Sequence, residues 1–107
     1  MTTFYKNAAV DLTTTNVTVV YTAPAAKTAI FKSILVSNDS GSADTITLTL
    51  TNAAAAVFSL YKLEEVGALS TRELLEQPLV LETAEIIKAQ AATAGRLHVV
   101  ASYMEIT

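Results

Sequence analysis

The sequence predicts an all-β fold, a sandwich of two antiparallel sheets, on three observations. Apolar residues recur at every second position rather than every third or fourth. β-branched residues, which suit a pleated strand, are abundant, with 16 threonines among 107 residues. Clusters of Gly, Pro, Asn, Asp and Ser break the chain at intervals of about 8–12 residues, the spacing of short strands in a sandwich.

Residues 1–16 precede any strong strand signal and read as an N-terminal arm or a first edge strand, with the adjacent aromatics Phe4 and Tyr5 as candidate contacts for a neighbour. The sandwich domain spans 17–107. Its opening strand sets Val17, Val19 and Tyr21 against Thr18, Val20 and Thr22, and Pro24, which cannot donate to a ladder, closes it. In the stretch from Thr28 to Asn38, Ile30, Ile34 and Val36 share one face and Phe31 and Leu35 the other. Both faces are therefore at least half-buried, as in a central strand.

The turn formers of Asn38-Asp-Ser-Gly-Ser-Ala-Asp44 lead into a strand in which Thr45, Thr47, Thr49 and Thr51 alternate with Ile46, Leu48 and Leu50. Four alanines, 53 to 56, connect it to a strand from Val57 to Val66, with Phe58 and Leu60 opposing Ser59 and Tyr61, and Gly67 ends that strand. Over residues 68–77 a strand is favoured and a short helix stays open. Ser70-Thr-Arg-Glu73 has the form of a helix capping box, but Pro78 leaves room for about two turns. Leu79–Leu81 is a short strand, Glu82–Glu85 a turn, and Ile86–Ala91 a further strand. After Ala92-Thr-Ala-Gly95 the last strand runs from Arg96 to Ile106, with Leu97, Val99, Ala101 and Tyr103 on one face.

Jelly-roll and immunoglobulin-like topologies both fit seven or eight such strands. Without Cys or Trp the immunoglobulin hallmarks are missing, which favours a jelly-roll-like sandwich of about eight strands. No repeat of solenoid or propeller length is evident. The expected core comprises Ile30, Ile34, Val36, Ile46, Leu48, Leu50, Phe58, Leu60, Leu97 and Val99.

Composition narrows the function classes. Seven basic against ten acidic residues, scattered along the chain, leave no basic stripe to track phosphates, so nucleic acid is not expected as a partner. The N-terminus lacks a signal peptide's basic and apolar regions, and no apolar run approaches the roughly 18 residues of a membrane span. A soluble, non-exported chain without a membrane partner is expected. A folded chain of 11.3 kDa should expose about 5,700 Å2, which leaves roughly one charge per 340 Å2. So sparse a charge density on a chain that is 51% hydrophobic favours a surface partly covered by copies of itself or by a partner.

The candidate sites reduce to structural features. An ice-binding array needs threonine rows on several adjacent strands, and Thr13, Thr14 and Thr15 are consecutive and cannot share a face. A solvated or intersubunit strand face is the plainer reading, which makes Thr45, Thr47 and Thr49 candidate interface residues beside Phe4 and Tyr5. His98 is the single histidine, and with no cysteine it cannot anchor a transition-metal site or a catalytic triad of ordinary composition. It reads as a face residue of the last strand, open to a role as a pH-sensitive contact. Asn38, Asp39, Ser40 and Asp44 surround Gly41, yet the closing bidentate Glu of a calcium loop is missing. Glu64 and Glu65 are adjacent in a strand and point to opposite faces, so they do not converge like a glycosidase pair. No metal, cofactor, small-molecule substrate or catalytic activity is expected.

Read as a whole, the chain resembles small structural proteins of tailed bacteriophage virions, the capsid decoration or cement proteins and related tail-associated modules. The segments that carry the resemblance are Pro24-Ala-Ala-Lys-Thr-Ala-Ile-Phe-Lys-Ser-Ile-Leu-Val-Ser-Asn38 with the turn and threonine strand after it, Pro78-Leu-Val-Leu81, Ile87-Lys-Ala-Gln90, and Gly95 to Ile106. The resemblance implies a β-sandwich that assembles as a trimer or similar oligomer and binds the major capsid protein on the capsid exterior. It implies synthesis in the host cytoplasm and no catalytic residues. A tail-associated or host-recognition module is the alternative, and it would present aromatics in its loops.

Overall fold

A computed structural model describes residues 2–107. These form β1 (Thr3–Leu12), β2 (Thr18–Thr22), β3 (Thr28–Asn38), β4 (Asp44–Thr51), β5 (Val57–Val66), β6 (Ser70–Glu73), β7 (Leu79–Leu81), β8 (Ile86–Ala91) and β9 (Leu97–Ile106), with no helix among them. The path is a long hairpin rolled up on itself. At its apex β4 pairs with β5 across the alanine turn, and working outward β3 pairs with β6 and β7, β2 with β8, and β1 with β9, all antiparallel. Successive rungs fall alternately into two sheets, β1-β9-β3-β6 with β7 also on β3, and β2-β8-β4-β5. The fold is a jelly-roll sandwich.

The strand beyond the expected eight is β1, formed by Thr3–Leu12 along the edge of β9, and the stretch where strand and helix were both open forms the strand β6. Residues 70–81 give two short strands on the same edge of β3. Glu73 does not cap a helix. Its carboxylate accepts the backbone N–H of Ile34 at 2.8 Å and the Ser33 hydroxyl, so it fastens β6 to β3.

The core lies between the sheets. Leu12, Phe31, Ile34, Val36, Ile46, Leu48, Leu81, Ile87, Leu97 and Val99 are all fully buried. The rings of Tyr21, Phe31 and Tyr103 pack together at one end, with centroids 4.5–5.2 Å apart. Such aromatic clusters add to the stabilisation from area burial alone.

Two expected core residues lie elsewhere. Phe31 pairs with Tyr103 and Ser33 with Ser102, which makes Lys32 an extra residue, a β-bulge. Alternation slips by one there, so Phe31 before the bulge and Ile34 and Val36 after it all face in, whereas Ile30 and Leu35 face out. Phe58 pairs with Leu50 beside the turn and is 53% exposed. Leu60 is half-buried against the core under the segment 74–79, and Leu50 is also half-buried. A second bulge, at Val20, turns both Val20 and Tyr21 inward and leaves Val19 outside.

Candidate functional site

Between the bulges, alternation along the strands gives each sheet an outer face whose chemistry is read row by row across the strands. On the first sheet Tyr5, Met104, Ile30 and Val80 form one row, and Ala9, Val100 and Leu35 another, ending at Glu73. Between them run Asn7, Ser102 and Ser33, and beyond them Asp11, His98, Ser37 and Thr71. The apolar rows are accessible: Tyr5 is 83% exposed, Val80 52%, and Leu35 and Val100 nearly 40% each.

The outer face of the second sheet carries the threonines. Its rows are Thr22, Ile86, Thr51 and Val57, then Val19, Lys88, Thr49 and Ser59, then Gln90 and Thr47, then Thr45 and Glu65. Thr45, Thr47 and Thr49 are half-buried. The Thr47 hydroxyl accepts the N–H of Leu63 at 3.2 Å, and the Thr51 hydroxyl is buried with no hydrogen-bond partner among the described residues. The interface residues singled out from sequence therefore do not form one patch. Phe4 and Tyr5 lie on β1 of the first sheet and the threonines on the opposite side of the sandwich.

Behind β1 lies a polar knot that no local sequence motif announces. Glu105, on the inner face of β9, is buried, and it accepts from the Lys6 ammonium at 2.7 Å and from the Tyr21 hydroxyl, with Lys27 at 3.8 Å. Hydrogen bonds from Lys6 and then Tyr21 hold the Glu105 carboxyl below its ordinary value, outweighing the opposing effect of burial. The same bond raises Lys6, and burial pushes the Tyr21 phenol up. The knot joins β1 and β9 of the first sheet to β2 of the second. A charged residue continuing the inner alternation Leu97, Val99, Ala101, Tyr103 was the available signal, whereas its partner Lys6 lies 99 residues away.

The remaining candidates are spent on local structure. Asn38 is buried and organises its turn: its side-chain amide donates to the carbonyls of Ser42 and Val66, and its oxygen accepts from the Ser40 amide and hydroxyl. Asp44 accepts the N–H groups of Thr45 and Thr93. Glu64 pairs with Arg72 at 2.9 Å. His98 sits between Asp11, whose carboxylate is 3.3 Å from Nε2, and Asp39, 3.9 Å from Nδ1. Among the described residues no group of three or more His, Cys, Asp or Glu is placed to hold a metal ion, and no helix is long and apolar enough to cross a membrane. A shallow cleft of about 350 Å3 lies between β5 and the 75–79 segment, lined by Leu60, Tyr61, Leu75 and Leu79 with Glu76 and Gln77 at its rim.

No family model and no curated protein matches the sequence. Among solved structures, the chain is similar in fold to a subunit of Bacillus endospore appendages described as disulfide-linked pili, with a TM-score of 0.59 and 10% identity over 99% of this chain and 88% of that one. It is also similar to a chain in the structure of infectious bursal disease virus, Gx strain, with a TM-score of 0.50 and 8% identity. That match covers 96% of this chain but 28% of the viral one, so this chain spans less than a third of the viral protein. At these identities the likeness is one of fold.

Proposed function

We propose that the chain is a non-enzymatic virion structural protein that decorates and stabilises the capsid of a tailed bacteriophage, binding the major capsid protein on the capsid exterior as an oligomer. The observation that carries this reading is the outer face of the first sheet, where two accessible apolar rows run across the strands of the sandwich, with Lys32 between them and Glu73 at the end of one. Covering about 200 Å2 of apolar surface contributes about 5 kcal/mol before the costs of association. That is a modest contact for one copy and an effectively permanent one when many copies tie a lattice together.

The two fold neighbours are compatible with an assembling subunit, one being a component of pili and the other a chain of a virus. With no cysteine, this chain cannot use the disulfide linkage described for those pili, so its cohesion must come from non-covalent faces and edges. A trimer is the order of association that the resemblance to decoration proteins implies. The test is stoichiometry in purified virions. Hundreds of copies per particle support decoration, six or fewer point instead to a tail-associated module, and none at all removes the virion role.

A further inference from the structure

The edges of a sheet are where copies of a β protein join or are kept apart, and natural proteins usually blunt them. Among the described residues three edges are blunted. β2 is five residues long and bulged at Val20, β5 slips register twice against β4 and holds Leu63 at a φ of 53°, and β6 and β7 are four and three residues long. β1 differs. Its ten residues pair with β9 without a single shift, and it contains no proline or glycine. Its one lysine, an inward charge of the kind that normally deters pairing, is already neutralised by Glu105 at 2.7 Å.

The free side of β1 can be assigned. The Thr107 N–H donates to the Thr2 carbonyl, one step beyond the Thr3–Ile106 pair, and the Gly95 N–H donates to the Leu12 carbonyl. Bonded and non-bonded pairs alternate in an antiparallel ladder, so even-numbered residues bond β9. The backbone N–H and C=O groups of Thr3, Tyr5, Asn7 and Ala9 then point away from the sheet. The Asp11 carbonyl shares that side, where it accepts from Thr13.

We infer that β1 pairs with β1 of a second copy, antiparallel about a two-fold axis through Asn7, joining the two first sheets edge to edge. This rests on reading the chain as a self-associating subunit. The register follows from the side chains. With Asn7 opposite itself, Tyr5 meets Ala9 of the other copy and Phe4 meets Val10, an aromatic on a β-branched residue. The apolar row through Tyr5 then runs on into the row through Ala9. Lys6 meets Ala8, whereas a shift of the axis by one residue toward the N-terminus sets Lys6 against Lys6, and a shift the other way sets Tyr5 against Asp11. About eight backbone hydrogen bonds form across the axis. Being a two-fold contact, it is also able to link neighbouring trimers.

Because the chain has no cysteine, the register can be read by single substitutions in the full-length protein. Asn7→Cys places two thiols on an opposed pair with Cα atoms about 5.5 Å apart, within disulfide range. Ala9→Cys leaves them about 14 Å apart along the strands. Under mild oxidation the expected result is a covalent dimer on a denaturing gel for Asn7→Cys and at least tenfold less for Ala9→Cys. In sedimentation from micromolar to several hundred micromolar, Asn7→Pro removes only an outward N–H and should weaken association at least a hundredfold. Tyr5→Lys, at a position 83% exposed in the single chain, should weaken it at least tenfold with unchanged thermal unfolding. A native chain that stays monomeric, equal cross-linking at positions 7 and 9, or undiminished association in both Asn7→Pro and Tyr5→Lys would each overturn the pairing. In the last case self-association stands and only this edge is excluded. The virion role is judged separately, by copy number on particles.

Discussion

The two outer faces of the sandwich are built by the same alternation of side chains and differ in which residues fill their central rows. On the second sheet the threonine positions are Thr45, Thr47, Thr49 and the buried Thr51, with Lys88, Gln90 and Glu65 beside them and the apolar Val19, Ile86 and Val57 at one end. On the first they are Tyr5, Met104, Ile30 and Val80 in one row and Ala9, Val100 and Leu35 in another. The threonine face can remain wet at Thr45 and Thr49, which are partly exposed, while the Thr47 hydroxyl accepts a neighbouring amide and that of Thr51 is buried. The two apolar rows of the first face offer water little to bond and gain by being covered, while Asn7, Ser102 and Ser33 between them stay able to bond it. The periodicity that draws the eye in the sequence, one threonine at every second position, thus lies on the side of the molecule opposite the two apolar rows of the first sheet.

The largest expected effect tests what holds β1 against the first sheet. Glu105→Ala removes the acceptor of Lys6 and leaves the buried Tyr21 hydroxyl unpaired, which should cost about 2–3 kcal/mol in denaturant unfolding. The pH dependence has a definite sign. Because the folded carboxyl lies below its ordinary value of 4.5, its contribution is complete above that pH and is lost as pH falls through the folded value, where the native carboxylate is finally protonated. Glu105→Gln should flatten this acid slope while the rest of the profile persists.

The comparison between the faces is broken most directly by Val100→Asp and Thr49→Asp. Both positions are partly exposed, so each change should alter stability by less than about 1 kcal/mol. Val100→Asp should lower binding to particles at least tenfold, and Thr49→Asp should leave it within about twofold. Equal losses would mean that the faces are functionally alike. A smaller effect lies within the threonine face. Thr51→Val replaces a buried hydroxyl that lacks a partner and should stabilise the fold by about 1 kcal/mol. The smallest is at the β5–β6 turn, where Leu69 holds a φ of 53° with its side chain 75% exposed. Leu69→Asn should raise stability by about 0.5–1 kcal/mol, since Asn tolerates that conformation better.

Much of the architecture is legible in the sequence. The bounds read for β3, β5, β7 and β8 coincide with those of the structure, because β-branched alternation and turn residues are local signals. Where local signals end, so does legibility. The inner face of β3 changes phase at Lys32 because the pairing with β9 inserts an extra residue there, and nothing within Thr28–Asn38 announces it. Ile30 and Phe31 exchange sides as a result. β1 carries Lys6 and Asn7 mid-strand and is recognisable as a strand mainly through a partner at the far end of the chain. The candidate faces were only half readable: the threonine row lies within one strand, whereas each apolar row is assembled from strands distant in sequence.

The central claim is that the first sheet's outer face is the one covered in the assembled state. An image of the virion at a resolution that orients the sandwich tests it most directly. The account predicts many copies on the capsid exterior, with Tyr5, Met104, Ile30, Val80, Val100 and Leu35 against the capsid or a neighbouring copy and the threonine row turned to solvent. Copies whose threonine face is buried while those residues stand in open solvent would contradict it.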